Sequence, residues 1–503
     1  MRRTKKVGRG TCRLILFLRT TMTCRFAKTF LLPVLVLLLI VAVEVPFAGM
    51  LHAAEIAAWK KQGGTESYFI DSGSGKWLEV DSEGGAIRFE ELQRKKESVE
   101  IIDRGRQIKI LLSPKQAELS VGGRPYQRWV NGDWVDAADL PEFARFSPID
   151  RKVRLIYFVP TDREPKKGYR EKINTLMYFV NETYRYEFRR RGLPDRGLVF
   201  QTDDQGTPIV HLVKGKHPAT HYNGAPNYDA YFQLRQLQPE LPRSIGSQAT
   251  HLVITFAETY DEGPHPFEWP GGIALGGWRS ADGGTANFSA WVLQDMFCAT
   301  SVAEQEKLFQ DRTPIEGRVA LGNGRRNSPR YEFIEDGFGA VIHEVGHALG
   351  LPHDQRDDRH YIMGNGFRML KENLNDQTPV SGRARFSDAN ANILASSRLL
   401  NPGVDLTDNA AAQLEVKLEP TQKPNVYQVS IQAKDDHGVK AVLYYDDVRG
   451  TVVDGLQLDG TKDEDRRELE LKADEQKKEV RLEARVIDQG GNITTVRAVR
   501  PLP

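Results

Sequence analysis

The most constraining feature of this 503-residue chain is the segment GFGAVIHEVGHALGLPHDQRDDRHYIMGNG, residues 337–366. The chain has 11 histidines, and four of them lie in this segment, at positions 343, 347, 353 and 360. Apolar side chains recur at helical spacing before position 350, which predicts a helix with one face packed against other elements. His343 and His347 are four residues apart, so one helical turn brings both imidazoles to the same face.

A third histidine follows the predicted helix at a distance that suits a metal site. Gly350 is expected to end the helix in the left-handed conformation, which lets the chain turn back with His353. Three imidazoles leave the fourth position of a tetrahedral zinc ion open for water, as in catalytic zinc sites. Glu344 could accept a proton from that water. The pattern therefore predicts His343, His347 and His353 as zinc ligands and Glu344 as the general base.

The stretch HEVGHALGLPHD resembles the zinc signature H-E-x-x-H-x-x-G-x-x-H-D of the metzincin metallopeptidases. In that clan a methionine lies in a tight turn beneath the metal, and the resemblance assigns this role to Met363 in YIMGNG. It covers the chain from about position 150 to 402. It implies an α/β catalytic domain whose edge strand, GGIALGG at 271–277, pairs with a peptide substrate. An aspartate directly after the third histidine, here Asp354, resembles the pattern of the adamalysin branch. The segments IMG, 362–364, and FSD, 386–388, resemble those of the matrixins, so the subfamily stays open.

The N-terminal region predicts export. Residues 1–54 contain nine basic residues and one acidic residue, and the apolar run FLLPVLVLLLIVAV is typical of a signal peptide cleaved near Ala53 or Ala54. An uncleaved membrane anchor is the alternative. The remaining chain has 60 basic and 67 acidic residues, which argues against nucleic acid as a partner.

Three domains are predicted after this segment, which makes the fold class multidomain. Residues 55–145 are expected to form a β-rich domain, with a hairpin turn at Asn131-Gly132. Residues 146–405 are expected to form an α/β catalytic domain, which the resemblance implies to be metzincin-like. In residues 412–503, alternating strands and the segment VRLEARVIDQGGNITT, which resembles bacterial immunoglobulin-like modules, predict an immunoglobulin-like β-sandwich.

Other chemistry-bearing residues carry weaker predictions. Cys298 is the only cysteine after residue 54, and its apolar surroundings predict a buried side chain rather than a reactive thiol. His211, His217 and His221 could form a second metal site. The segment GNGRRNSPRYEFIEDGFG, 322–339, could hold Ca²⁺, although such loops are more often plain turns.

The predicted function is that of an exported zinc endopeptidase, which hydrolyses peptide bonds through a zinc-bound water activated by Glu344. Its partner is a protein or peptide substrate, and the C-terminal β domain is a candidate binder of a cell-surface or matrix polymer. Two alternatives stay open. One is a non-catalytic, metal-stabilised surface binding or adhesion protein, and the other is hydrolysis of a bond other than a peptide bond.

Overall fold

The structure is a computed structural model that describes residues 58–502 with several gaps. The gaps are 74, 83–85, 105, 137–138, 146–149, 194–195, 225–229, 261–273, 281–282, 320–324, 376, 401–407, 409, 459 and 461–463. Glu55–Pro503 form one compact unit. The predicted targeting segment, 1–54, and the domain boundary at position 405 lie outside the described residues.

The first eight strands form a closed antiparallel barrel, in which each strand pairs with the next and the last pairs with the first. The strands are β1 (Ala58–Gln62), β2 (Ser67–Gly73), β3 (Lys76–Asp81), β4 (Ala86–Arg94), β5 (Val99–Asp103), β6 (Ile108–Ser113), β7 (Lys115–Val121) and β8 (Gln127–Val135). Large aromatic side chains, among them Trp59, Phe69 and Trp77, fill the barrel core and are fully buried. A barrel of eight strands has an interior that such side chains can fill.

The predicted hairpin turn at Asn131-Gly132 is wrong. Strand β8 runs through both residues, and Gly132 pairs with Lys61 of β1. A Cβ on Gly132 would lie 2.2 Å from the Trp59 ring and 2.3 Å from the Lys60 carbonyl oxygen. Glycine is therefore required here for a close approach between strands where the barrel closes, and not for a turn.

A five-stranded mixed sheet follows the barrel, with the order β10-β9-β11-β13-β12. The strands are β9 (Arg154–Val159), β10 (Val210–Lys214), β11 (Leu252–Ala257), β12 (Ala274–Arg279) and β13 (Gly284–Ser289). Strands β9, β10, β11 and β13 are parallel, whereas the edge strand β12 is antiparallel to β13. Every residue of β9 and β11 is buried, as expected for strands covered on both faces.

Seven α-helices are described alongside the sheets. They are α1 (Tyr169–Arg190), α2 (Ala219–Asn223), α3 (Ala230–Leu237), α4 (Val302–Leu308), α5 (Arg330–Ala348), α6 (Leu370–Asn373) and α7 (Asp388–Ser396). Helices α1 and α5 share the main hydrophobic core, and the Tyr184 hydroxyl donates to the Ile342 carbonyl at 3.0 Å. Ser387 caps α7 by accepting from the Asn390 N–H. Within the described residues, no helix is both long and apolar enough to cross a membrane.

The C-terminal part consists of two antiparallel sheets around a separate apolar core. Its strands are β14 (Gln413–Pro420), β15 (Val426–Lys434), β16 (Val439–Asp446), β17 (Thr451–Gln457), β18 (Glu464–Glu470), β19 (Ala473–Asp474), β20 (Glu479–Asp488) and β21 (Ile493–Pro501). The metzincin class of the central layer and the immunoglobulin-like class of these sheets stay predictions.

Candidate metal centre

Helix α5 carries the first two predicted ligands in its last turns and is tightly packed on two sides. On one side, a Cβ on Gly346 would lie 2.5 Å from the Met363 sulfur. On the other side, a Cβ on Gly277 of β12 would lie 2.1 Å from the Glu344 carbonyl oxygen. A side chain at either glycine would push these elements apart. The two glycines therefore determine how closely the edge strand and the turn around Met363 pack against the helix.

The three predicted zinc ligands come together in the structure. The Nε2 atom of His347 lies 3.1 Å from Nε2 of His343 and 3.1 Å from Nε2 of His353. Gly350 follows Leu349, the C-cap residue of α5, and has a φ of 96°, in the region that favours glycine. That conformation ends the helix and lets the chain return, which brings the third imidazole to the other two.

The rings of the two helical histidines are oriented by backbone carbonyls. Nδ1 of His343 lies 2.7 Å from the Ile362 carbonyl oxygen, and Nδ1 of His347 lies 2.7 Å from the Leu351 carbonyl oxygen. A carbonyl only accepts, so each Nδ1 carries the hydrogen and each Nε2 presents a lone pair. Two lone pairs that face each other at 3.1 Å have no hydrogen to share, and such a pair suits a cation between them.

The donor set fits zinc. Tetrahedral zinc with nitrogen ligands at about 2.0–2.1 Å places those nitrogens about 3.3 Å apart, close to the separations seen here. Burial lowers the pKa of His343 to about 3 and that of His347 to about 4, and the neighbouring imidazoles add to both shifts. Burial also lowers the pKa of His353. All three rings are therefore neutral at pH 7, the form that binds a metal.

Glu344 follows the first ligand directly in the chain, and its backbone carbonyl packs closely against Gly277 of the edge strand. Burial raises the pKa of its carboxyl to about 7, and a hydrogen bond from the Gly277 N–H opposes that shift. A carboxyl in this range can take up and release a proton near neutral pH, which a general base requires.

Met363 is fully buried and lies against α5 at Gly346. The residue before it, Ile362, provides the carbonyl that orients His343. The Met363 carbonyl accepts from the N–H of Asp354 at 3.0 Å, and Asp354 is the residue after the third ligand. The turn at 362–363 is therefore connected to both the first and the third ligand.

The C-terminal sheets hold the loop that carries His353, a contact that sequence reasoning missed. The Val452 N–H donates to the His353 carbonyl at 3.0 Å, and Arg485 Nη1 donates to the Gly350 carbonyl at 3.0 Å. The Gln355 N–H donates to the Thr451 hydroxyl at 2.7 Å. These partners lie about a hundred positions further along the chain, and no local pattern indicates such a pairing.

An open cleft of about 780 Å³ adjoins the histidines, and all three described regions contribute to its walls. The barrel contributes both basic and acidic side chains, β12 contributes half-buried residues of the sheet edge, and the C-terminal sheets contribute an aromatic and a basic residue among others. Among the lining residues are Arg88, Arg104, Trp278, His353, Tyr445 and Arg485. A cleft of this size is large enough for an extended peptide segment.

The other candidate residues lie outside this centre. His217 and His221 come within 4.8 Å of Glu240, whereas His211 bonds Gln201 at 2.8 Å. His360 pairs with Asp357 at 2.9 Å.

Cys298 is buried, and burial raises the pKa of its thiol to about 12, which agrees with an unreactive side chain. The segment suggested for Ca²⁺ does not form a single loop of oxygen ligands, because 330–339 belong to α5 and 322–324 lie outside the described residues.

A family model named Metallopep, described as "Putative peptidase family", matches residues 273–438. This span contains His343, Glu344, His347, His353 and Met363. No curated protein matches the chain significantly.

Solved structures of OgpA from Akkermansia muciniphila are similar to the chain. The wild-type protein is 18% identical, and the alignment covers 73% of this chain and 98% of OgpA with a TM-score of 0.46. The catalytically inactive protein in complex with an O-glycopeptide, glycodrosocin, has the same identity and coverage and a TM-score of 0.45. The family match supports a metallopeptidase, that is, a metal-dependent hydrolase that cleaves peptide bonds.

Proposed function

We propose that the chain is an exported zinc endopeptidase of the metzincin type, with Glu344 as its general base. The observation that carries the proposal is the convergence of three imidazole Nε2 atoms, two of them on rings held by backbone carbonyls. A structural zinc site usually has four protein ligands, and the described residues contribute three histidines here. The fourth position is thus left for a reacting group.

The side chains divide the chemistry between them. His343, His347 and His353 would hold zinc, which supplies a Lewis acid and makes water a better nucleophile at neutral pH. Glu344 takes a proton from the attacking water and returns it to the leaving amine.

The substrate is proposed to bind as an additional strand along β12. This strand is the edge of the sheet, and its residues Gly277–Arg279 line the cleft beside His347 and His353. An extended peptide that pairs with an exposed edge gains main-chain hydrogen bonds along its length.

Export rests on the sequence of residues 1–54, whose apolar run is short for a membrane span and typical of a signal peptide. Fractionation of cells that produce the protein tests this part. Mature protein outside the cytoplasm that begins near Ala54 is the expected result, and retention of the intact segment in the membrane would favour an anchor.

Cleavage of an unfolded protein by the purified chain tests the activity, with Glu344→Gln as the key variant and zinc content measured in each sample. We expect Glu344→Gln to keep its zinc and to lose activity by about 10²–10⁴-fold, the range of general acid–base catalysis. Glu335→Gln, a second buried carboxyl on the same helix, is the matched control and should cleave like the parent.

Two outcomes would count against the proposal. Equal zinc with no cleavage by any of the three proteins would favour the non-catalytic binding protein. Full activity of Glu344→Gln would exclude the proposed role of Glu344.

A further inference from the structure

A second cluster of metal-type side chains lies in the C-terminal part of the chain. Carboxylate oxygens of Asp408, Asp435 and Asp488 all lie within 4.8 Å of one another. Asp408 precedes β14, Asp435 follows β15 and Asp488 ends β20. Three separate chain segments therefore bring one carboxylate each to the same place.

Two of these carboxylates are buried, and three of their four oxygens lack a hydrogen-bond partner among the described groups. Asp408 is 2% exposed and Asp488 is 0% exposed. Neither oxygen of Asp408, nor Oδ2 of Asp488, has a hydrogen-bond partner among the described groups. Burial raises the pKa of Asp408 and the charge of Asp435 adds to the shift, whereas His437 and the Gly490 N–H oppose it. Buried carboxylates are usually paired or bind a metal, so this arrangement of oxygens suits a cation.

The surrounding contacts hold the cluster but leave much of its charge unbalanced. Asp435 accepts from the Gly438 N–H at 2.9 Å through Oδ1, and Asp488 accepts from the Asn492 N–H at 2.8 Å through Oδ1. Burial raises the pKa of Asp488 to about 6, and the charge of Asp408 adds to the shift. Arg398 lies nearby, and its guanidinium donates to the carbonyl oxygens of Asp408 and Gly490.

We propose that Asp408, Asp435 and Asp488 bind a calcium ion. The site offers carboxylate oxygens, which Ca²⁺ prefers, whereas zinc prefers nitrogen and sulfur ligands. Ca²⁺ accepts six to eight oxygens in flexible geometry, whereas Mg²⁺ demands near-ideal octahedral geometry. Three carboxylates from unrelated segments suit the more permissive ion.

A cation here would connect the catalytic region with the C-terminal sheets. The Asp408 carbonyl already accepts from Arg398, just beyond α7, and from Asn492, in the turn before β21. Binding of Ca²⁺ would add a further link at the same junction. The inference is independent of the peptidase proposal, because the site shares no residue with the histidine centre.

Titration calorimetry tests the site, with CaCl₂ added to the purified zinc-containing protein after other free metal ions have been removed. We expect one site with a dissociation constant between about 10 µM and 1 mM. Asp435→Asn should weaken binding at least tenfold. Asp436→Asn, the exposed neighbour, is the matched control and should bind like the parent. Absence of binding by the parent, or equal weakening in both variants, would overturn the proposal.

Asp408→Asn gives a second test that does not depend on calorimetric heat. Without Ca²⁺ this variant should melt at a higher temperature than the parent, because it removes one of three crowded carboxylates. Saturating Ca²⁺ should raise the melting temperature of the parent and leave that of the variant unchanged. A variant that keeps the Ca²⁺ response would overturn the site. Equal affinity of the parent for Mg²⁺ would overturn the choice of calcium.

Discussion

Two histidine pairs in this molecule have the same spacing and different geometry. His343 and His347 are four residues apart, and so are His217 and His221. The first pair lies within α5, where the two ring planes are at 84° to each other and the two Nε2 atoms face each other. In the second pair the rings stack at a centroid distance of 4.0 Å and an angle of 29°. One member of that pair precedes α2, so no continuous helix holds both.

The neighbours of the two pairs differ as well. Glu240, the carboxylate beside the second pair, accepts from the Lys216 N–H at 2.8 Å and from the Tyr222 hydroxyl at 2.9 Å. It is therefore already engaged in local structure. In the first pair, carbonyls of Ile362 and Leu351 orient the rings and leave the other nitrogens available. The difference teaches that the hydrogen bond to the second ring nitrogen, and not the spacing alone, prepares a histidine pair for metal.

Replacing one histidine of each pair gives the largest contrast. We expect His347→Ala to lose its zinc and to be at least about 100-fold less active. Loss of even a residue that hydrogen-bonds to a zinc ligand lowers metal affinity or activity by about 10–100-fold. His221→Ala is the matched control and should keep both zinc and activity. Zinc content and the rate of cleavage of an unfolded protein measure the contrast. Equal loss of zinc in the two variants would show that the pairs do not differ in function.

The parts of the centre that depend on neighbouring residues could be predicted from the sequence. The helical spacing of His343 and His347, and the positive φ of Gly350 that ends the helix, are local properties of a short segment. The third histidine follows three residues later, so few conformations of the chain could place it elsewhere. These features lie in the structure where the pattern predicts them.

Features that depend on distant segments could not be predicted. The barrel closes because β1 pairs with β8, and Gly132 is a glycine because Trp59 packs against it rather than because the chain turns there. The support of the His353 carbonyl by Val452 likewise joins separate regions. Periodicity describes which face of an element is buried, but not which distant element covers it.

Helix α5, which carries His343 and His347, is expected to make the stability of the fold depend on pH. Glu335 on α5 has a pKa raised to about 8, chiefly by burial, with Asp336 and Glu372 adding to the shift and Lys371 opposing it. Between the ordinary carboxyl pKa and about 8, the folded state keeps a proton that the unfolded state has lost. Stability should therefore fall as the pH rises through this window, by up to about 1.4 kcal/mol per pH unit.

Glu335→Gln should remove most of this slope between pH 7 and 8, because glutamine cannot ionise, whereas Asp336 and Glu344, whose pKa values burial raises to about 7, contribute mainly below pH 7. Its amide oxygen can still accept from the Lys371 N–H, which donates to Glu335 at 2.6 Å. Denaturant midpoints of zinc-saturated protein at several pH values measure the slope. Glu372→Gln is the control and should leave the slope largely intact. A Glu335→Gln variant with the slope of the parent would place the titrating group elsewhere.

The smallest expected effect concerns the hydrogen bond between Thr451 of the C-terminal sheets and the loop that carries His353. Thr451→Val keeps the shape of the side chain but removes the acceptor of the Gln355 N–H, two residues after His353. Loss of one such hydrogen bond costs about 1 kcal/mol, so the affinity for zinc should fall about fivefold, with little change in the fold. Competition with a zinc chelator measures this affinity. Thr421→Val removes a hydrogen bond of 2.8 Å to the Val426 carbonyl within the same sheets and should leave zinc affinity unchanged. Equal affinity in both variants would mean that α5 and the Gly350 turn fix the third ligand without help from the C-terminal sheets.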